Sequence, residues 1–370
     1  MIAENQAIDV NASILKHINM IKPWFPKRAL ISIGEYSSEI LKEFQISENG
    51  DIVTLVVGKT KNENQTSTGT NSILEIDTKS NSHYWFNVQE YLANDTSVPQ
   101  ALRQRFSDKL SSAIFVASTA EGSGSFMMPT VASQLREGEI NSVGFAILPS
   151  EFQAPDAFFN SLWSMATCTS QNIVQVVVDR DGLEEYVGVN RKGSVLKGEG
   201  IFNYILDLVL KKESFVQELC DLSSSFNVNT FTILAATGAS FKVHGSLDNI
   251  LNAALFKPLS SFDFSSASVL YVLVRVPHQL KNRFSRRTIE LTVSKWFKER
   301  AILKAVYVSE PVYVIDGSDR IDVAMFVGGF SLAKRVKVFS EKVKDIVGYA
   351  VKNGFISEEK WDELVRNLVL

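Results

Sequence analysis

The residues of this chain best suited to chemistry are the small ones of Thr119-Ala-Glu-Gly-Ser-Gly-Ser125, which follow the apolar run Ala113 to Ala117. A glycine/serine turn between a strand and a helix leaves backbone N–H groups pointing away from the sheet edge, beside the positive end of the helix dipole. Thr119, Gly122, Ser123, Gly124 and Ser125 are therefore candidate anion-binding residues, with Pro129 near the start of the helix that follows. Ser32-Ile-Gly34-Glu-Tyr-Ser37 is a second stretch rich in small residues, and Gly34 is its one position free to take positive φ. Other chemistry is sparse. His17, His83, His244 and His278 are scattered, and Cys168 and Cys220 lie in hydrophobic stretches, so neither a metal cluster nor a disulfide framework is expected. No nucleophile, metal or paired-carboxylate constellation stands out, which counts against a small-molecule enzyme on a Rossmann-like sheet.

The elements that must position these turns alternate between strand and helix patterns. Arg28 to Leu41 reads as a strand turning into a helix, Asp51 to Val57 as a strand, and Gly58 to Ser72 as a polar loop. Ser142 to Leu148 and Ile173 to Arg180 continue the sheet, and the alternation implies parallel pairing. Gly198 to Leu222 reads as one long helix with Ile201, Phe202, Ile205, Leu208 and Val209 on a face. Beyond it, Phe231 to Ala235, Val269 to Val276, Ala305 to Val308 and Asp322 to Val327 are strands, and Ser246 to Phe256 and Arg287 to Glu299 are helices. Ala333 to Lys352 and Ser357 to Leu368 close the chain as two helices, and a short amphipathic helix before Pro23 and Pro26 opens it.

In this order the motifs resemble the tubulin/FtsZ superfamily. Ala117 to Pro129 is similar, without a gap, to the signature A-G-x-G-G-G-T-G-T-G-x-x-P; in its inner G-G-G-T-G-T-G run Ala120 and Glu121 replace the first two glycines and Phe126 the last. Ser32, Gly34 and Ser37 take the places of the family's first G-x-G-x-x-G. The resemblance implies a Rossmann-like parallel-sheet N-domain, a central helix and a smaller mixed-sheet α+β C-domain. Its implied boundaries are an N-terminal extension over 1–27, a GTPase-like nucleotide domain over 28–198, the central helix over 199–222, a C-terminal domain over 223–330 and a helical tail over 331–370. It also implies a ribose contact at Gln153, where relatives carry an acid. A base-reading side chain is implied at Leu206, which can neither donate nor accept, with Asp207 one position on. In relatives a loop N-x-D-x-x-D enters the neighbouring subunit's pocket and polarises the attacking water. Here Asn227, Asn229 and Thr232 occupy it, and neither Asn229 nor Thr232 is a carboxylate.

The expectation is thus a tubulin/FtsZ-like cytoskeletal or cell-division scaffold with a degenerate site. GTP or GDP would bind weakly, magnesium would enter only with nucleotide, and GTP hydrolysis would be weak or absent. The alternative is an active polymerising GTPase. Partners would be the chain itself, through a longitudinal contact, or a related filament. With 370 residues and 45% hydrophobic residues the chain can bury a large core, and its net charge of −3 gathers neither nucleic acid nor an anionic membrane. Lys281, Arg283, Arg286 and Arg287 read as a solvated or contact face and not as a nucleic-acid site, because no aromatic platform accompanies them in sequence. No stretch approaches a membrane span and no signal-peptide pattern opens the chain, so a cytoplasmic protein without direct membrane insertion is expected. The helical tail differs from the disordered linker and adaptor-binding peptide that the resemblance implies for division proteins.

Overall fold

A computed structural model describes residues 27–42, 52–57, 71–74, 83–94, 110–256, 258–298 and 303–369. The expected N-terminal helix and nearly all of the polar loop after Gly58 lie outside them. The fold has two compact units, one drawn from Met1–Ala146, Ala154–Ile173 and Ser340–Asn367, the other from Ile147–Gln153, Val174–Phe339 and Leu368–Leu370.

The first unit holds strands β1 (Lys27–Ile33), β2 (Ile52–Val57), β3 (Asn71–Leu74), β4 (Leu110–Ser118) and β5 (Asn141–Ile147) in the spatial order β5-β4-β1-β2-β3. β1 pairs in parallel with β2 and β4, and β2 with β3. From Ser112 onward β4 is buried without alternation, as a strand covered by helices on both faces must be. Those helices are α1 (Glu35–Lys42), α2 (Trp85–Asn94), α3 (Gly122–Glu137) and α4 (Pro155–Ser170). Met127, Met128, Val131, Ala132 and Leu135 of α3 join Ala29, Ile31, Phe115 and Ala117 in one apolar core.

Sequence reading passed over α2 and α4. α4 is buried almost throughout from Ala157 to Cys168, so it has no polar face to mark its period. Its aromatic residues carry the packing: Trp163 stacks on Trp85 at 4.5 Å, and Phe159 on Trp361 at 4.9 Å. Burial also pushes the Cys168 thiol pKa up, in keeping with a core thiol.

In the second unit the strand order is β11-β10-β13-β9-β6, formed by Ala305–Val308, Val269–Pro277, Arg320–Gly328, Thr230–Ser240 and Gln175–Val178, with β12 (Val312–Val314) also on β10. β6 and β9 run parallel, whereas β13 is antiparallel to both β9 and β10, so this sheet is mixed. Helix α5 (Arg180–Glu185) and the hairpin β7 (Val187–Val189) to β8 (Val195–Lys197) precede the long apolar stretch.

That stretch is not the single central helix expected over 199–222. It is α6 (Glu199–Leu210) and α7 (Phe215–Phe226), broken at Lys211 to Ser214. Lys212 turns aside to the Glu310 carbonyl (3.1 Å) and Glu218 (3.3 Å), and the break admits Phe215 to the core, 5.5 Å from the Tyr271 ring and 5.4 Å from Phe326. After α8 (Phe241–His244), α9 (Leu247–Ala254) and α10 (Arg286–Lys298), the expected helix 333–352 is likewise divided, into α11 (Ala333–Lys342) and α12 (Lys344–Lys352), before α13 (Glu358–Asn367).

Candidate anion and nucleotide site

The Gly122-Ser-Gly-Ser125 run is not the turn its composition suggests; it is the first turn of α3. Pro129 lies inside that helix, and since it has no N–H to donate, the Ser125 carbonyl four residues earlier lacks its usual helical donor. The Ser125 hydroxyl is buried and donates to the Gly122 carbonyl at 3.0 Å. A Cβ on Gly124 would sit 2.1 Å from the Ser118 carbonyl oxygen, so close packing of the helix start on β4 already requires glycine there. Thr119 is fully buried and shares a 2.9 Å hydrogen bond with Ser161. At the signature's last glycine position, Phe126 stacks on Trp163 at 5.7 Å. Each of these residues has a structural employment within its own unit.

Glu121 is the N-cap of α3, with extended backbone, yet its side chain caps nothing in its own helix. Its carboxylate turns to the β1–α1 turn, where Oε2 accepts the Glu35 N–H at 2.7 Å and Oε1 the Tyr36 N–H at 3.0 Å. Gly34 makes room for it. At φ +97° it adopts a conformation that disfavours other residues, and a Cβ there would meet Glu121 Oε2 at 2.3 Å. Gly34 and the 119–125 run are thus brought together, with a carboxylate between them.

Burial raises the Glu121 pKa above 4.5; the two backbone N–H bonds pull it down, and Glu35 and Glu39 push it up again. The folded state therefore keeps its proton at pH values where the unfolded chain has released it. Stability from this group is present below the ordinary carboxylate value and declines as pH rises through the raised one. Chemical denaturation across that range should show the decline in the wild type and its loss in Glu121→Gln.

Asn160 was not singled out by sequence. Its side chain donates to the carbonyls of Ala120 (3.0 Å) and His83 (2.8 Å) and accepts the Trp85 N–H (3.0 Å), pinning the approach to α3 and the start of α2. A polar residue fully buried in an apolar helix is the signal that could have revealed it.

The remaining candidates lie in the second unit. The Gln153 side-chain oxygen accepts the Ser150 N–H at 2.9 Å and closes its own turn. Asn227 ends α7 in left-handed backbone, φ 53°. The Asn229 carbonyl accepts the Gln175 N–H at 2.8 Å. Thr232 is no loop residue: it stands inside β9, fully buried, with its hydroxyl donating to the Val177 carbonyl (2.7 Å) and bonded to Ser260 (2.8 Å). Leu206 is fully buried, and Asp207 pairs with Arg275 at 2.5 Å and Lys211 at 3.2 Å. Asp179 pairs with Arg335 and Ser261 (both 2.8 Å), and Arg180 bonds Glu184.

The basic cluster also differs from expectation. Lys281, Arg283 and Arg286 do have aromatic partners, the rings of Tyr313, Phe241 and Tyr307, supplied from distant parts of the chain. Each ring is already covered by a cation.

With this geometry in place, comparison with solved structures decides the fold. CetZ1 from Haloferax volcanii, a GDP-bound monomer, superposes with a TM-score of 0.64 at 16% identity, over 86% of this chain and 99% of that one. The chain has the tubulin/FtsZ fold. An FtsZ dimer from M. jannaschii gives a TM-score of 0.61 at 14% identity over 86% and 92%. A GTPyS-form protofilament of TubZ from Bacillus thuringiensis serovar israelensis gives 0.57 at 14% identity over 95% and 99%. Neither a family model nor a curated protein matches the chain by sequence.

The residues do not fit a nucleotide phosphate at the β1–α1 turn, because the Glu121 carboxylate already occupies the N–H groups of Glu35 and Tyr36 there. Among the described residues no group of three or more His, Cys, Asp or Glu could hold a metal ion, and no helix is long and apolar enough to cross a membrane.

Proposed function

We propose that this chain is a filament-type scaffold of the tubulin/FtsZ kind, in a cytoskeletal or cell-division-like role in the cytoplasm. It associates with itself through a longitudinal contact, or with a related filament, and does not depend on GTP hydrolysis. The fold and the assembled neighbours, a dimer and a protofilament, support self-association. The observation that carries the loss of hydrolysis is Thr232: a hydroxyl buried in a strand and engaged twice within its own chain has no means of polarising water in a neighbour's pocket. Asn229 is an amide with no basic pair of electrons at neutral pH. GTP or GDP binds weakly on this reading, and magnesium only with it.

Sedimentation with GTP, with GDP and without nucleotide, run beside phosphate release at high protein concentration, tests the reading. Pelleting should be the same in all three conditions, with phosphate release at the buffer rate. Pelleting that requires GTP, or turnover that rises with polymer mass, would replace the scaffold with an active polymerising GTPase.

A further inference from the structure

The first N–H groups of a helix have no acceptor within it and carry the positive end of its dipole, so they attract an anion. At the start of α1 the anion is present, and it belongs to the protein. Glu121 reaches across 86 positions of sequence and presents one oxygen to the Glu35 N–H and the other to the Tyr36 N–H. We propose that Glu121 is the resident anion of this site, holding the β1–α1 turn as a bound phosphate would and thereby excluding phosphate and nucleotide from it.

Several observations separate this arrangement from an incidental surface contact. Both carboxylate oxygens are used, in a paired geometry that matches two adjacent N–H groups. The space they fill exists only because residue 34 has no Cβ. Glu121 is tied there although its own helix start, the nearer place for an N-cap side chain, goes without a side-chain cap. The group also remains at this site against a desolvation cost, with Glu35 and Glu39 adding like charge. A phosphate oxygen bonded to the same two N–H groups would have to sit where a Glu121 oxygen sits, so the two are mutually exclusive by volume. Even with Glu121 swung partly aside, like charges about 5 Å apart weaken phosphate binding roughly a hundredfold. Glu121 is thus a specificity-determining residue.

The inference deepens the weak-nucleotide reading above by naming what keeps the phosphate out, and its test is separate from assembly. Inorganic phosphate and then GDP are titrated into the full-length wild type, Glu121→Ala and Glu121→Gln, in phosphate-free chloride buffer. The backbone amide signal of isotope-labelled Tyr36 and the unfolding midpoint are followed together. In the wild type, millimolar phosphate should move neither. In Glu121→Ala the Tyr36 signal should shift saturably and the midpoint rise, with phosphate bound at least about tenfold more tightly than by the wild type. Glu121→Gln, which keeps one acceptor oxygen, should fall between them, and it carries the comparison if Glu121→Ala does not fold. A Tyr36 shift of equal affinity in wild type and variants, or none in either variant, would overturn the proposal. GDP that binds the wild type tightly without moving Tyr36 would defeat the weak-nucleotide reading alone, and absence of pelleting in the sedimentation experiment would defeat the scaffold reading alone.

Discussion

Replacing Thr232 by Asp, which would put an acid where the tubulin/FtsZ resemblance implies one, should destabilise the protein strongly and confer no hydrolysis. Thr232 is fully buried in β9, its hydroxyl bonded to the Val177 carbonyl and to Ser260. A carboxylate there would face a carbonyl oxygen across 2.7 Å. Burying an unpaired charge costs about 3 kcal/mol or more, which is a large share of the stability of a typical domain. Thr232→Val keeps the shape and removes only the hydroxyl, so it should cost about 1–2 kcal/mol. Urea midpoints for the two variants separate the terms. A Thr232→Asp protein with the wild-type midpoint would mean that the side chain reaches solvent, and catalysis in an assembled form would again be open. The Asn229→Asp change alone should be tolerated, because its backbone carbonyl still accepts the Gln175 N–H and Asp keeps the side-chain oxygen that accepts from Thr230 at 3.3 Å.

Asp322→Asn should be the most damaging conservative change in the second unit. Asp322 is fully buried on β13, directly opposite Arg275 of β10, and accepts from Arg275 Nε and from Arg191 Nη1 (3.1 Å). On its other side lies Gly238 of β9, where a Cβ would sit 2.8 Å from the carboxylate and 3.0 Å from the Tyr204 hydroxyl. Burial alone would lower the Arg275 pKa, but Asp322 and Asp207 outweigh it, and the guanidinium is held charged. Removing the central carboxylate leaves buried Arg275 with Asp207, and Arg191 with Asp316 and the Arg320 carbonyl. About 3–5 kcal/mol is the expected cost, read from thermal or urea unfolding. Asp316→Asn is the control: its carboxylate is exposed enough to be screened, so its loss should cost under about 1 kcal/mol. Equal effects from the two changes would show that the network contributes as surface pairs do.

These two sites mark how far the sequence is legible. The alternation of strand and helix, the apolar runs of β4, β10 and β13, and the order of the motifs sufficed for a parallel-sheet unit, a mixed-sheet unit and the tubulin/FtsZ resemblance, because period and composition are local properties of the chain. The Gly34 and Gly122 to Ser125 turns were also legible as places where small residues are needed. What they are needed for was not. Gly124 answers to the Ser118 carbonyl and Gly34 to the Glu121 carboxylate, and both neighbours arrive through the fold. α4 was missed because a helix buried on every side carries no amphipathic period, and α6 and α7 were joined because nothing local reveals that Phe215 must reach Tyr271.

The chain by itself determined that Asn229 and Thr232 carry no carboxylate, since residue identity needs no coordinates. Tertiary structure alone decided that Thr232 is sealed inside a strand, that Asp207 answers Arg275, and that Glu121 faces α1 and not its own helix. Each of those outcomes depends on which distant backbone donor, carbonyl or cation the sheet brings within about 3 Å, a distance set by packing between elements and not by any spacing within one.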